Sequence, residues 1–278
     1  MNLPPLNVSA LLRAHGLAPK KSLGQNFLVD PVALERIVQI ADLSQQATVL
    51  EVGPGLGSLT RHLALAAHRV VAVELDDALI PVLEEILKGI PNVEIIHGDI
   101  LKLNPAELMG QDGYSVVANI PYYITSNLIR HLLEAAVKPN RIVLTVQREV
   151  AERITASPGD LSLLALGVQV YGKPKVAARI PAGAFYPPPN VDSAVVRVDL
   201  YSEPLIPTNL LEAFFRLARS GFSQKRKTLR NSLSAGLSWP PAQTAGLLAA
   251  AGIDPQRRAE TLTLEEWKML TTKLAERS

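Results

Sequence analysis

The 278-residue chain predicts an α/β protein with a doubly wound, mainly parallel sheet, followed by a small all-α C-terminal domain. Three observations predict it. Between Ala47 and Val146 short β-rich runs alternate with stretches of helical period. The first of these runs ends in a glycine-rich loop, Gly53-Pro54-Gly55-Leu56-Gly57. From Thr208 onward the pattern is helical only.

The elements follow in order. Thr48–Val52 reads as a strand that enters the glycine loop, and Leu59–Ala67 as the helix leaving it. Arg69–Val73, Val93–His97, Ser115–Ala118 and Arg141–Val146 read as strands, with helices over Ala78–Lys88 and Ser126–Ala136 between them. Lys175–Ile180 and Val191–Leu200 read as a hairpin-like extension of the sheet. They flank Phe185-Tyr186-Pro187-Pro188-Pro189-Asn190, a proline-stiffened loop. Glu203-Pro204-Leu205-Ile206-Pro207 is the expected linker. Helices are expected over Leu210–Arg219, Lys227–Ala235, Ala242–Ala251 and Leu264–Ala275. The domain expectation is therefore 1–203 for the sheet, including a basic N-terminal segment 1–30, and 204–278 for a helical, basic domain.

Hydrophobic residues make up 47% of the chain and charged residues 19%, enough for a substantial core and too apolar for wholesale disorder. With no cysteine, disulfides, zinc–thiolate sites and thiol nucleophiles are excluded, and no metal site is expected. No apolar run reaches the roughly 18 residues of a membrane span. The N-terminus lacks the charged-then-apolar layout of a signal peptide. A cytoplasmic protein is the expectation.

The net charge of +2 conceals an uneven distribution. Met1 to Val29 carries Arg13, Lys20 and Lys21 and no acid. Ala213 to Ile253 carries Arg216, Arg219, Lys225, Arg226, Lys227 and Arg230, again without an acid. Such segments suit a polyanion, which makes Lys20, Lys21, Arg226, Lys227 and Arg230 the candidate RNA-binding residues. Ordinary solvated helix faces have the same composition.

In a doubly wound sheet the ligand lies beyond the carboxyl ends of the strands. Glu51, Glu74, Asp99 and Asn119 all lie at or just past strand ends. Gly53, Gly55 and Gly57 remove side chains where the backbone turns into a helix, so a cofactor can approach the main chain. The spacing is G-x-G-x-G, not G-x-G-x-x-G, because Ser58 occupies the sixth position. Glu51 would repel a pyrophosphate but suits a cation, and S-adenosylmethionine carries an ammonium and a sulfonium and no phosphate. Glu74 can accept from both ribose hydroxyls, as in dinucleotide sites too. Asp99 can accept from an adenine amine or form an Asx-turn.

Asn119-Ile120-Pro121-Tyr122 directly follows the Ser115–Ala118 strand. An exocyclic adenine amine is a poor nucleophile because its lone pair is delocalised into the ring. Acceptors aimed at it, the Asn119 amide oxygen and the Ile120 or Pro121 carbonyl, favour a tetrahedral nitrogen. Tyr122 offers a stacking face for a base taken out of its helix, and Phe185 is the candidate for the opposite face. Asn119, Pro121, Tyr122 and Phe185 are thus the candidate catalytic residues. No strong general base is required, because the methylated amine loses its proton late. A structural turn with a buried tyrosine is the competing reading.

Six segments carry a resemblance: Leu23-Gly24-Gln25-Asn26-Phe27-Leu28, Glu51 to Gly57, Asn119 to Tyr122, Gln147-Arg148-Glu149-Val150-Ala151, Phe185 to Ser193, and Arg226-Lys227-Thr228-Leu229-Arg230-Asn231. In these the chain resembles the small-subunit (16S) ribosomal RNA adenine N6,N6-dimethyltransferases of the KsgA/Dim type, nearly end to end. The resemblance implies a Rossmann-like fold and S-adenosylmethionine contacts at Asn26, Leu28, Gly53, Glu74, Asp99 and Asn119. It also implies transfer of two methyls to each of two adjacent adenosines near the 3′ end of small-subunit rRNA, within an assembling 30S-type particle. A monomer is the expectation. Ile120 stands where many relatives have leucine. On spacing alone Lys20–Leu28 reads as a linker or a lid. The alternatives are a large-subunit rRNA adenine methyltransferase of the macrolide-resistance type, a DNA adenine methyltransferase, a nicotinamide-dependent dehydrogenase and a non-catalytic RNA-binding assembly factor.

Overall fold

The computed structural model describes residues 3–120 and 124–277. In chain order the N-terminal half contains α1 (Val8–Ala14), β1 (Phe27–Leu28), α2 (Pro31–Ala41), β2 (Thr48–Val52), α3 (Ser58–Ala66), β3 (Arg69–Glu74), α4 (Ile80–Leu87), β4 (Val93–His97), α5 (Pro105–Met109) and β5 (Ser115–Asn119). It continues with α6 (Thr125–Glu134), β6 (Arg141–Gln147), α7 (Arg148–Ile154), α8 (Leu163–Gln169), β7 (Gly172–Ile180), β8 (Phe185–Tyr186) and β9 (Ser193–Leu200). The helical end comprises α9 (Leu211–Phe222), α10 (Leu229–Leu237), α11 (Pro241–Ala250) and α12 (Leu264–Ala275).

Seven strands form one sheet in the order β4-β3-β2-β5-β6-β9-β7. The pairs β3–β4, β2–β3, β2–β5 and β5–β6 are parallel, whereas β9 runs antiparallel to β6. The chain winds outward from β2 through β3 to β4, then returns to the other side of β2 to lay down β5 and β6. The winding reverses between β2 and β5, the switch point at which such sheets open a crevice. β2, β3, β5 and β6 are buried almost throughout, which is why they read as continuous apolar runs and not as alternating ones. On one face Ile37 of α2, Leu63 of α3, Val117 of β5 and Val143 of β6 share a single apolar cluster.

A second sheet of two strands pairs β1 with β8 antiparallel, Phe27 opposite Tyr186 and Leu28 opposite Phe185. The sequence reading assigns no strand at either place. Two residues are too few to show a period of two, and the pairing joins segments far apart in the chain.

By internal contacts the chain divides into two compact units, Met1–Ala151 with Pro174–Leu200, and Glu152–Lys173 with Tyr201–Ser278. The second unit includes 152–173, which the sequence expectation leaves with the sheet. The reason is packing: Tyr171 stacks on Phe215 of α9 at 6.3 Å between ring centroids, and the Leu205 N–H donates to the Val170 carbonyl. Within this unit Phe214 and Trp267 are fully buried. α9 and α10 cross so closely that a Cβ on Gly236 would lie 2.6 Å from Ser220 Cβ, so only glycine fits there. A capping box between Thr263 and Glu266 starts α12.

Candidate active site

The crevice at the switch point is a cleft of about 220 Å³ within the first unit. The four polar residues that the sequence places at strand ends line it: Glu51 from β2, Glu74 from β3, Asp99 after β4 and Asn119 from β5. Gly53, Gly55, Asn26 and Leu28 line it too. Gly57 does not; it caps α3 at φ +81°, a conformation that side chains resist. The two loops meet, since a Cβ placed on Gly53 would lie 3.8 Å from the Asn119 carbonyl oxygen.

Glu51 is 1% exposed, and its Oε2 has no hydrogen-bond partner among the described residues. Burial pushes its carboxyl up to about 8; the Thr60 hydroxyl opposes the push and the Glu74 charge adds to it. A buried carboxylate without a partner is costly, so this oxygen is a natural counter-charge for a cation. Glu74 Oε2 accepts from the Gly55 N–H at 2.9 Å and Oε1 from the Asp76 N–H at 2.8 Å. Burial raises the Glu74 carboxyl above its ordinary value, against those two backbone bonds. Each oxygen keeps a lone pair for a further donor.

Asp99 forms the Asx-turn, Oδ1 accepting from the Leu101 N–H at 3.1 Å. Its Oδ2 stands 3.8 Å from Lys102 Nζ, so turn and ligand roles are compatible. Asn119 Nδ2 donates to the Asn26 carbonyl at 3.1 Å. That commits the donor end of the amide, and among the described residues nothing donates to Oδ1. Asn26 Nδ2 in turn donates to the Gly24 carbonyl at 3.2 Å. Pro121 and Tyr122 lie outside the described residues.

Phe185 does not reach the cleft. Its ring is 4% exposed and packs in the apolar cluster with Leu28, Leu34 and Val195. Leu28 and Phe185 face each other across the two-stranded sheet and both pack in that cluster, and of these two Leu28 lines the cleft and Phe185 does not. Lys20 is also placed differently from its expected role on the outer surface. Its Nζ lies 2.6 Å from Asp76 Oδ1, which raises the lysine above its usual range. Lys21 is exposed.

Sequence reasoning missed Gln25, Phe27 and Asp76 as parts of the site. Gln25 Nε2 donates to Asp76 Oδ2 at 2.7 Å, and Phe27 covers Gly55 so closely that a Cβ there would lie 2.9 Å from its Cδ1. Burial pushes the Asp76 carboxyl up, but bonds from Lys20, Gln25 and the Ala78 N–H outweigh it and hold the group below its ordinary value. Asp76 was legible as a cap, which it is, and the Lys20–Leu28 segment as a possible lid; their pairing across the chain has no local signal.

In the helical unit Arg226 and Lys227 are exposed in the turn between α9 and α10, and Arg230 is half-buried with its Nε 3.3 Å from Asn231 Oδ1. Among the described residues neither Arg226 nor Lys227 meets a carboxylate, unlike Arg257, which is paired with Glu266. No helix among the described residues is long and apolar enough to cross a membrane.

Residues 16–276 match the family described as Ribosomal RNA adenine dimethylase. The chain is 49% identical to a Ribosomal RNA small subunit methyltransferase A of Dehalococcoides mccartyi (strain CBDB1), over 95% of this chain and 91% of the relative. A solved dimethyladenosine transferase from Plasmodium falciparum superposes with a TM-score of 0.78 at 26% identity, over 90% of this chain and 98% of that one. The solved 23S rRNA methyltransferase ErmE gives 0.72 at 30% identity, over 90% of this chain and 100% of that one.

Proposed function

The chain belongs to the ribosomal RNA adenine dimethylase family, and from that membership we propose that the cleft holds S-adenosylmethionine and faces a target adenosine of small-subunit rRNA. The protein is an S-adenosylmethionine-dependent rRNA adenine N6,N6-dimethyltransferase. The observation that carries this reading is the convergence of Glu51, Glu74, Asp99 and Asn119 on one cleft at the switch point. A buried carboxylate with an unpartnered oxygen suits a cationic nucleoside and disfavours a pyrophosphate, which argues against a nicotinamide cofactor.

When bound, S-adenosylmethionine supplies a methyl group made electrophilic by its sulfonium. The residues do the rest. Glu51 Oε2 faces positive charge, Glu74 receives ribose hydroxyls, Asp99 Oδ2 receives an amine, and the Gly53–Gly55 main chain lets the ligand approach. Asn119 Oδ1 accepts from the exocyclic N6 amine, and the bond from its Nδ2 to Asn26 keeps the amide in that orientation. Pro121 contributes a carbonyl and Tyr122 a stacking face by their place in the sequence. Phe185 packs opposite Leu28 of β1 in the apolar cluster. Holding acceptor and methyl in line supplies most of the rate.

Two methyls go to each of two adjacent adenosines near the 3′ end of the rRNA, within an assembling 30S-type particle, by a cytoplasmic monomer. Arg226, Lys227, Arg230 and Lys21 meet the RNA backbone. The large-subunit reading draws on the likeness to ErmE, but the relative at 49% identity carries a small-subunit name. The test is transfer of labelled methyl to purified small-subunit and large-subunit particles that lack dimethyladenosine. Label in small-subunit rRNA is expected; label confined to large-subunit rRNA would overturn the assignment.

A further inference from the structure

A closed set of hydrogen bonds joins the segment 20–28 to the floor of the cleft through Asp76. Lys20 Nζ lies 2.6 Å from Asp76 Oδ1, and Gln25 Nε2 lies 2.7 Å from Oδ2. Gln25 Oε1 accepts from the Lys20 N–H at 2.7 Å, which locks the two prongs together. The Asp76 N–H donates to Glu74 Oε1, and Glu74 Oε2 accepts from Gly55. The Asp76 side chain is 2% exposed, so its grip is shielded from water and salt, whereas Lys20 is 44% exposed and free to let go. The same segment presents the Asn26 carbonyl to Asn119 and the Phe27 ring to Gly55.

We propose that Asp76 is a positioning residue of the cofactor site: through Lys20 and Gln25 it latches the 20–28 segment over the cleft, and the latch must open for S-adenosylmethionine to enter and leave. The inference rests on the reading of this cleft as the S-adenosylmethionine site. The latch explains why a lysine in an acid-free basic segment turns to a carboxylate: its partner Asp76 is bonded through its own N–H to Glu74, which holds the Gly55 N–H of the cofactor loop. Closure raises affinity by stabilising the only form that encloses the ligand, so a broken latch lowers the fraction of competent protein.

The test uses the full chain, S-adenosylmethionine, calorimetry, stopped-flow release and steady-state turnover. Lys20→Met removes one prong from a half-exposed position, and Asp76→Asn removes the charge while keeping an oxygen to cap Ala78. Each is expected to weaken S-adenosylmethionine affinity about tenfold, mainly through faster release. At saturating cofactor the loss in kcat is smaller than the loss in affinity, a split that a general loss of structure would not give. Lys20→Arg restores affinity, and the double variant Lys20→Met/Asp76→Asn loses no more than the worse single variant. Wild-type affinity in Lys20→Met, or a loss that Lys20→Arg leaves in place, overturns the latch. Failure of the wild-type protein to bind S-adenosylmethionine overturns instead the reading of the cleft, and needs no variant to be seen.

Discussion

Asn119 Nδ2 donates to the Asn26 carbonyl across 3.1 Å, joining residues 93 positions apart. The bond aligns a central strand end with the 20–28 segment, and among the described residues no donor meets Oδ1. Asn119→Ala is therefore expected to cut single-turnover methyl transfer by roughly 10²–10³, the cost of one oriented catalytic dipole. S-adenosylmethionine affinity, measured by calorimetry, falls much less. Equal losses in both would mean that Asn119 only binds the cofactor.

Glu74 binds two backbone N–H groups and still faces the cleft. Glu74→Ala removes the ribose acceptor and leaves the Gly55 and Asp76 N–H groups without their partner. Calorimetry is expected to find no measurable S-adenosylmethionine binding. Near-normal affinity would remove the ribose from this position.

The buried Glu51 makes stability depend on pH in a defined direction. Its folded value of about 8 lies above the ordinary 4.5, so the folded protein holds the proton more tightly than the unfolded chain. That contribution is complete below the ordinary value and is lost as pH rises toward 8, a change on the order of a few kcal/mol. Glu51→Gln lacks the proton and the loss, so its thermal midpoint should rise relative to wild type between about pH 5 and 8. Saturating S-adenosylmethionine should narrow that gap, because a cation favours the ionised carboxylate of the wild type. A gap that does not change with pH would mean that Glu51 is ionised in the folded protein throughout.

Arg226 and Lys227 are exposed, and Arg230 sits beside them. Replacing all three with glutamine is expected to weaken rRNA binding and to reduce the slope of log affinity against log salt by about 2, since each phosphate left without its cation accounts for roughly 0.7–0.9. Filter binding over a salt series reads this directly. An unchanged slope would place the RNA elsewhere.

The centre of the sheet was legible because β2, β3, β5 and β6 are buried on both faces. Thr48–Val52 and Val93–His97 are found as the apolar runs outline them, and Leu264–Ala275 keeps its expected bounds. The strand-end acids were legible for the same reason: a parallel sheet delivers its carboxyl ends to one rim. By contrast the sequence reading assigns no helix to α2, although Asp30 accepts from the Val32 N–H and Pro31 occupies the first turn, a start signal in sequence.

Phe185 shows what pattern alone does not settle. An aromatic residue in a stiff loop is a good candidate for stacking, yet a two-residue strand pairing decides which side it faces, and Leu28 sits opposite it. Lys20 shows the same limit for charge. Read along the chain it belongs to a basic segment; in space it belongs to Asp76.

The most direct measurement is mass spectrometry of small-subunit rRNA from cells with and without this gene. The account predicts two adjacent N6,N6-dimethyladenosines near the 3′ end that vanish on deletion and return with the wild-type protein but not with Asn119→Ala. Dimethyladenosines that persist at full level after deletion would contradict it.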